Sequence, residues 1–378
     1  MRTALVLAAL LTPAAARAHP GHRHDDEPAF PAALSSADPA LAVALGLMGV
    51  GAAAAVVARR RPGTLAGLTV LVAAGLGLPA GSTEPADDPK PQPAHDPDQL
   101  RKLFDHFKAD GTVARVEGDF LLIDSTAFPR HPLMVGITAW QQQVPLPQPY
   151  TGRNAWRLPL KPTVAAKPVS ARTGLFRGAI AVAVNGVPIF NALNNRGEDA
   201  FKAGELDEYG GHCGRGDDYH YHVAPVHLEA VVGKGRPIAY ALDGFPVMGY
   251  ADAAGKEPTD LDEFNGRYEA DGRYVYYATR TYPYLNGGMR GTVTVRGDQI
   301  EPQPKDSPVR PAGRPLRGAK VTAFDRDDAA KAYTLRYTLR GREGSVAYTE
   351  TEPGVFRFVT TAPDGPATTE TFRRRPPR

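Results

Sequence analysis

Twelve consecutive residues, Gly211-His212-Cys213-Gly214-Arg215-Gly216-Asp217-Asp218-Tyr219-His220-Tyr221-His222, hold three of the ten histidines and the single cysteine of this 378-residue chain. In a strand, successive side chains point to opposite faces. The alternation Tyr219-His220-Tyr221-His222 therefore puts both imidazoles on one face and both phenols on the other. His212 arrives from the preceding glycine-rich stretch as a third imidazole. Two histidines at i and i+2 with a third converging on them suit a transition metal or a small polar ligand. Imidazole favours zinc or copper over magnesium or calcium. Three protein ligands with one further position is the arrangement of a catalytic zinc, and Cys213, Asp218 or Asp243 could instead close the site. A metal-activated water performing hydrolysis is the enzymatic version of such a site. The competing reading is architectural, a polar core in which His and Tyr hydrogen-bond each other and the backbone. No residue in the motif is required to be a nucleophile or a base. The chain has no Gly-x-Ser-x-Gly elbow and no phosphate-binding Gly-x-x-x-x-Gly-Lys.

The elements that must position these residues read as strands. Residues 179–190 spell a buried strand, an Asn185-Gly186 turn and a second short strand. Residues 237–242 and the Asp243-Gly244-Phe245-Pro246 turn follow the motif. Residues 112–124, 274–281 and 292–295 are strand-like. Leu100, Leu103, Phe104 and Phe107 have helical spacing within residues 97–110. Residues 192–206 are polar and irregular, with a short helix expected near 198–203. From residue 317 the composition shifts to Thr, Arg and Tyr, and three alternating segments (333–339, 346–349 and 355–359) predict a small antiparallel meander. Tyr219 and Tyr221 are expected to pack in the core, Asp243 to cap its turn when it is not a ligand, and His227 to lie at a surface or edge.

Composition narrows the classes. With 39 Gly and 36 Pro the chain is turn-rich rather than a helical bundle. Its formal net charge is +3, and its arginine clusters, at 59–61 and 373–375, lack interleaved aromatics. Nucleic acid is accordingly not expected as a partner. Residues 1–18 have the charged start, apolar core and Ala16-Arg17-Ala18 site of a secretory signal. A His-rich tail at 19–38 (His19, His22, His24) follows. Residues 41–58 and 64–80 are uncharged and near the lower length for crossing a bilayer. Arg59, Arg60 and Arg61 between them suit a cytoplasmic turn. The expected organisation within 39–80 is a two-helix membrane hairpin, then a linker at 81–97, a β-rich domain at 98–310 and the meander and basic tail at 317–378. The membrane is thus an expected partner, with the main domain periplasmic or extracellular. One cysteine cannot form an internal disulfide, which leaves Cys213 a free thiol, an intermolecular half-cystine or a ligand.

Taken together, Gly211-His212, Tyr219 through His222, Pro225, Asp243 through Gly249, Asn185 through Asn191 and Tyr282-Pro283-Tyr284 resemble the YHYH domain family over roughly residues 113–296. The resemblance implies an exported β-rich domain and no particular substrate. The expected fold is mainly β: a sandwich-like extracytoplasmic domain with the antiparallel C-terminal meander, preceded by the membrane hairpin. The expected function is binding of a transition metal or small polar ligand. A metal-dependent hydrolase of the cell envelope and a non-catalytic structural or interaction module are the alternatives.

Overall fold

The computed structural model describes residues 90–376. Helix Pro97–Asp105 begins where Asp96 accepts hydrogen bonds from the N–H groups of Asp98 and Gln99, with Pro97 in the first turn, where its missing N–H costs nothing. Leu100, Leu103 and Phe104 form its buried stripe, as their spacing requires. Gly111, at φ +88°, ends the segment and turns it into a hairpin of Val113–Glu117 and Phe120–Asp124. Trp156–Pro159 adds a third strand to that hairpin.

An eight-stranded mixed sheet carries the motif. Its spatial order is Gly266–Tyr268, Tyr274–Tyr277, Pro246–Met248, Ala239–Ala241, Ala179–Ala183, Pro188–Phe190, Tyr219–Tyr221 and Gly211–Cys213. The apolar run Ala179–Ala183 is buried at every position, as suits a strand covered on both faces. The Asn185-Gly186 turn after it uses a left-handed glycine, φ +78°, and Thr112 and Ser125 hydrogen-bond its carbonyls. Two neighbouring pairs are parallel, Val247 with Tyr276 and Ile189 with Tyr221. Each parallel pair is joined by a long connection, because only a crossover returns the chain in the same direction.

The C-terminal residues form a five-stranded antiparallel sheet in sequential order: Ala319–Asp327, Ala332–Leu339, Arg342–Glu352, Val355–Thr361 and Ala367–Arg373. Its buried face joins the large hydrophobic core that it shares with strands of the mixed sheet, apart from a small cluster of Met248, Val275 and Tyr277. Trp140 packs on Tyr337 and Phe128 on Tyr333, and Tyr348 donates its hydroxyl to the Pro145 carbonyl.

The fold expectation needs correction. The described residues are mainly β, but their two α-helices have nine and four residues, and none is long and apolar enough to cross a membrane. The expected two-helix membrane hairpin is therefore not supported. Its segments, 41–58 and 64–80, lie outside the described residues, as do the signal at 1–18 and the His-rich tail at 19–38. The sandwich-like domain is replaced by the mixed sheet and its smaller companions. The helix expected near 198–203 is a single turn, closed by Gly204 at φ +70°.

Candidate metal centre

The edge of the large sheet brings the three histidines together. Gly211–Cys213 pairs antiparallel with Tyr219–Tyr221, and the register sets His212 directly opposite His220. His222, one residue past its strand, lies on the same face by alternation. One ligand atom from each of the three lies within 4.8 Å of the other two. The Nε2 atoms of His212 and His222 face each other at 3.0 Å. About 3.3 Å separates two nitrogens bound to one tetrahedral zinc at the usual bond length.

The second nitrogen of His220 and of His222 is tied to the backbone. His222 Nδ1 lies 2.5 Å from the Asn191 carbonyl and His220 Nδ1 lies 3.0 Å from the Asp218 carbonyl. The Glu205 backbone near His212 opposes the lowering of its pKa by burial. A carbonyl only accepts, so Nδ1 of His220 and of His222 each carry a hydrogen, and in the neutral ring Nε2 then presents a lone pair. Fixing one ring nitrogen by a backbone acceptor so that the other points at an ion is how metal-ligating histidines are oriented. Burial and the neighbouring histidines hold His212 well below the ordinary imidazole pKa. Burial also brings His222 down to about 3. His212 and His222 are therefore held as neutral, ligand-ready imidazoles.

The backbone acceptors are themselves anchored. The Asn191 amide donates to the carbonyls of Ala171 at 2.7 Å and Gly174 at 3.1 Å, and Leu193 N–H donates to its oxygen at 3.0 Å. Glu205 is held by the Arg196 guanidinium and the Asn194 amide. Phe190 stacks on His220 with ring centres 4.0 Å apart. Sequence reasoning assigned no role to Asn191, Glu205 or Phe190. A carbonyl acceptor has no residue-type signature, and only Asn191, a polar residue just past an apolar strand, offered any signal.

The other candidate residues fall elsewhere. Asp218 stands beside the triad, its carboxylate 3.5 Å from His220 Nδ1 and accepting the Gly216 N–H. Cys213 alternates to the opposite face, is fully buried and has its thiol pKa pushed well up by burial. Asp243 sits in the turn after Ala239–Ala241. It accepts the Tyr276 hydroxyl at 2.6 Å and the Gly291 and Phe245 N–H groups, and burial raises its pKa to about 6. The structure thus joins His212, His220 and His222 and leaves Cys213, Asp218 and Asp243 outside the cluster. His227 is not a simple edge residue, because its ring packs among His131, Tyr209 and Tyr221.

No curated protein and no solved structure matches this sequence. Residues 155–259 match the family described as YHYH protein. That span is narrower than the resemblance over 113–296 and leaves out Tyr282-Pro283-Tyr284. It includes the strands of the triad, Asn191, Glu205 and the Asp243 turn, so the segment that builds the three-histidine cluster lies within the span that matches the YHYH family.

Proposed function

We propose that this domain binds one transition-metal ion, zinc or copper, through His212, His220 and His222. One observation carries the reading: His212, His220 and His222 bring one ring nitrogen each within 4.8 Å of the others, with Nδ1 of His220 and of His222 already held on backbone carbonyls. In the metal-free protein a neutral His212 with its hydrogen on Nε2 donates to the His222 lone pair, and a metal ion would replace that shared hydrogen. Burial makes an additional proton a costly occupant, since it disfavours the charged imidazole. A metal ion satisfies both rings and His220 together, and imidazole ligands select zinc or copper among the common candidates. The proposal is one of binding. A hydrolytic step needs a base for the metal-bound water, and the Asp218 carboxylate is engaged by Gly216 N–H.

Metal analysis of the full-length chain tests it. Purified protein should carry about one zinc or copper per chain after dialysis against free metal, and a His220→Ala/His222→Ala variant should carry none. Equal metal content in the two proteins would falsify the assignment. Absence of metal from both, with the variant less stable, would instead support the architectural reading of the motif.

A further inference from the structure

Next to the triad lies a cavity of about 440 Å³, with His220, Asp218 and Trp156 in its wall and Arg177, Arg215 and Lys305 also lining it. Its charges are unequally committed. Asp218 accepts Gly216 N–H, Glu301 accepts the Gln299 amide at 2.6 Å, and Asp306 is engaged as well. Arg177, Arg215 and Lys305 are exposed, and their side chains make no hydrogen bond or ion pair with the described residues. The indole N–H of Trp156 is buried in the same wall and also has no partner. A buried donor left unpaired costs about 1–3 kcal/mol. The acids around the cavity thus have hydrogen-bond partners among the described residues, while its three cations and the Trp156 N–H have none.

We propose that this cavity binds a small organic anion, a molecule bearing a carboxylate or phosphate group. Arg177, Arg215 and Lys305 supply the charge that holds the anionic group, with guanidinium suited to two-pronged contact with either oxyanion. A mixed apolar and polar cavity with a few convergent donors is the form small-molecule sites take. An acceptor on the ligand drawn against the wall satisfies the Trp156 N–H. The loop Gly214-Arg215-Gly216 gives the site a tie to the triad, since it also bears on Asp218 and His220. The inference goes beyond metal binding and does not require the ion, because every group it uses belongs to the chain.

Calorimetric titration of the full-length chain with citrate and with inorganic phosphate, at fixed ionic strength, distinguishes the two chemistries. The titration is run on chelator-treated and on metal-loaded protein. At least one anion should bind saturably at one site in both preparations. Arg177→Ala/Arg215→Ala should weaken it about ten-fold or more, the scale of a lost charge-assisted contact. Both replaced residues are exposed, so the melting temperature should hold. Trp156→Phe, which keeps the ring and removes the N–H, should weaken binding several-fold. No saturable heat with either anion overturns the proposal, as does binding indifferent to the arginine variant. Binding that appears only with metal loaded and disappears in His220→Ala also overturns it, because the anion then sits on the ion rather than in the cavity.

Discussion

The two faces of the Gly211–Cys213 and Tyr219–Tyr221 hairpin are built from alternate residues of the same strands, yet their polar groups are in opposite conditions. On one face every phenol is matched. Tyr219 donates to Asp207 at 2.8 Å, and Tyr221 accepts from the Asn185 amide at 3.0 Å and meets His131 Nε2 at 2.8 Å. Asp207 also receives the N–H groups of Met134, Tyr209 and Gly211. On the other face, His220 and His222 are tied to the backbone through Nδ1, and all three histidines turn a ring nitrogen toward a common point, where His212 and His222 meet each other at 3.0 Å. A closed network specifies a fold. Three ring nitrogens converging on one point offer a place for a guest. The alternation that separates Tyr from His in the sequence thus separates architecture from binding in the structure.

The largest expected effect lies on the phenol face. Tyr219 is fully buried, and Tyr219→Ala removes both its ring and a donor to a buried carboxylate. It should cost about 3–5 kcal/mol in urea unfolding, with or without chelator. His222→Ala should behave differently. In chelator it should cost less than Tyr219→Ala, because the imidazole is smaller than the phenol and the loss of its Nε2 leaves a ring nitrogen unmatched rather than a buried carboxylate. Free metal at a thousand-fold excess over its dissociation constant should stabilise the wild type by about 4 kcal/mol and the His222→Ala variant by nothing. Equal losses in chelator, and equal metal dependence, would erase the distinction between the faces.

How far this was legible follows from which residues carry each feature. Strict alternation from Tyr219 to His222 states which side chains share a face, and the register of His212 on His220 makes that local pattern sufficient. Asn185-Gly186 marks its turn because few other pairs tolerate the backbone it needs. Asp243 was ambiguous for a physical reason. A buried carboxylate in a tight turn looks alike in sequence whether it caps or ligates, and only Tyr276 and Gly291, distant in the chain, decide it. Cys213 drew attention as a soft ligand, yet adjacency to His212 in a strand is what sends it to the other face. The Asn191 and Glu205 carbonyls were invisible because the backbone is the same at every residue. His131, the partner of Tyr221 from ninety positions away, carried no local signal.

His131 gives the comparison a pH dependence. Burial lowers its pKa from 6.5 to about 4. A base so depressed contributes stability that is present above its ordinary pKa and lost as pH falls toward 4, because the unfolded chain takes up the proton first. Burial raises Asp207 from 3.8 to about 6, so its contribution runs the other way, present at low pH and lost as pH rises through 6. Between these limits the two oppose each other on the same face. His131→Gln should therefore reduce the loss of stability on acidification from pH 6.5 to 4, by about 2 kcal/mol after allowance for its partial exposure. Denaturant unfolding at a series of pH values reads the slope directly. An unchanged slope would mean that another group, not His131, takes up the proton on unfolding.

Gly214 bears on the other face and should give the smallest effect. A Cβ there would lie 2.7 Å from Asp218 Oδ1 and 3.1 Å from His220 Cε1. Its N–H donates at 2.9 Å to the Asp218 carbonyl, the acceptor that fixes the His220 ring. Gly214→Ala keeps that N–H and every metal ligand, so it moves His220 without removing anything from the site. Metal affinity should fall about ten-fold, the lower end of what disturbing a ligand's support produces, which corresponds to about 1.4 kcal/mol. Stability in chelator should change by less than that, because the Asp218 carboxylate can shift at a surface cavity more freely than a ring held between Phe190 and the backbone. Competition against a chromophoric chelator measures the affinity, and thermal melting in chelator measures the fold. A large drop in melting temperature with affinity untouched would make Gly214 a residue of the turn alone. A drop in affinity with the melt preserved would show that the histidine face is tuned for an ion while the tyrosine face, one residue over along the same strand, holds the domain together.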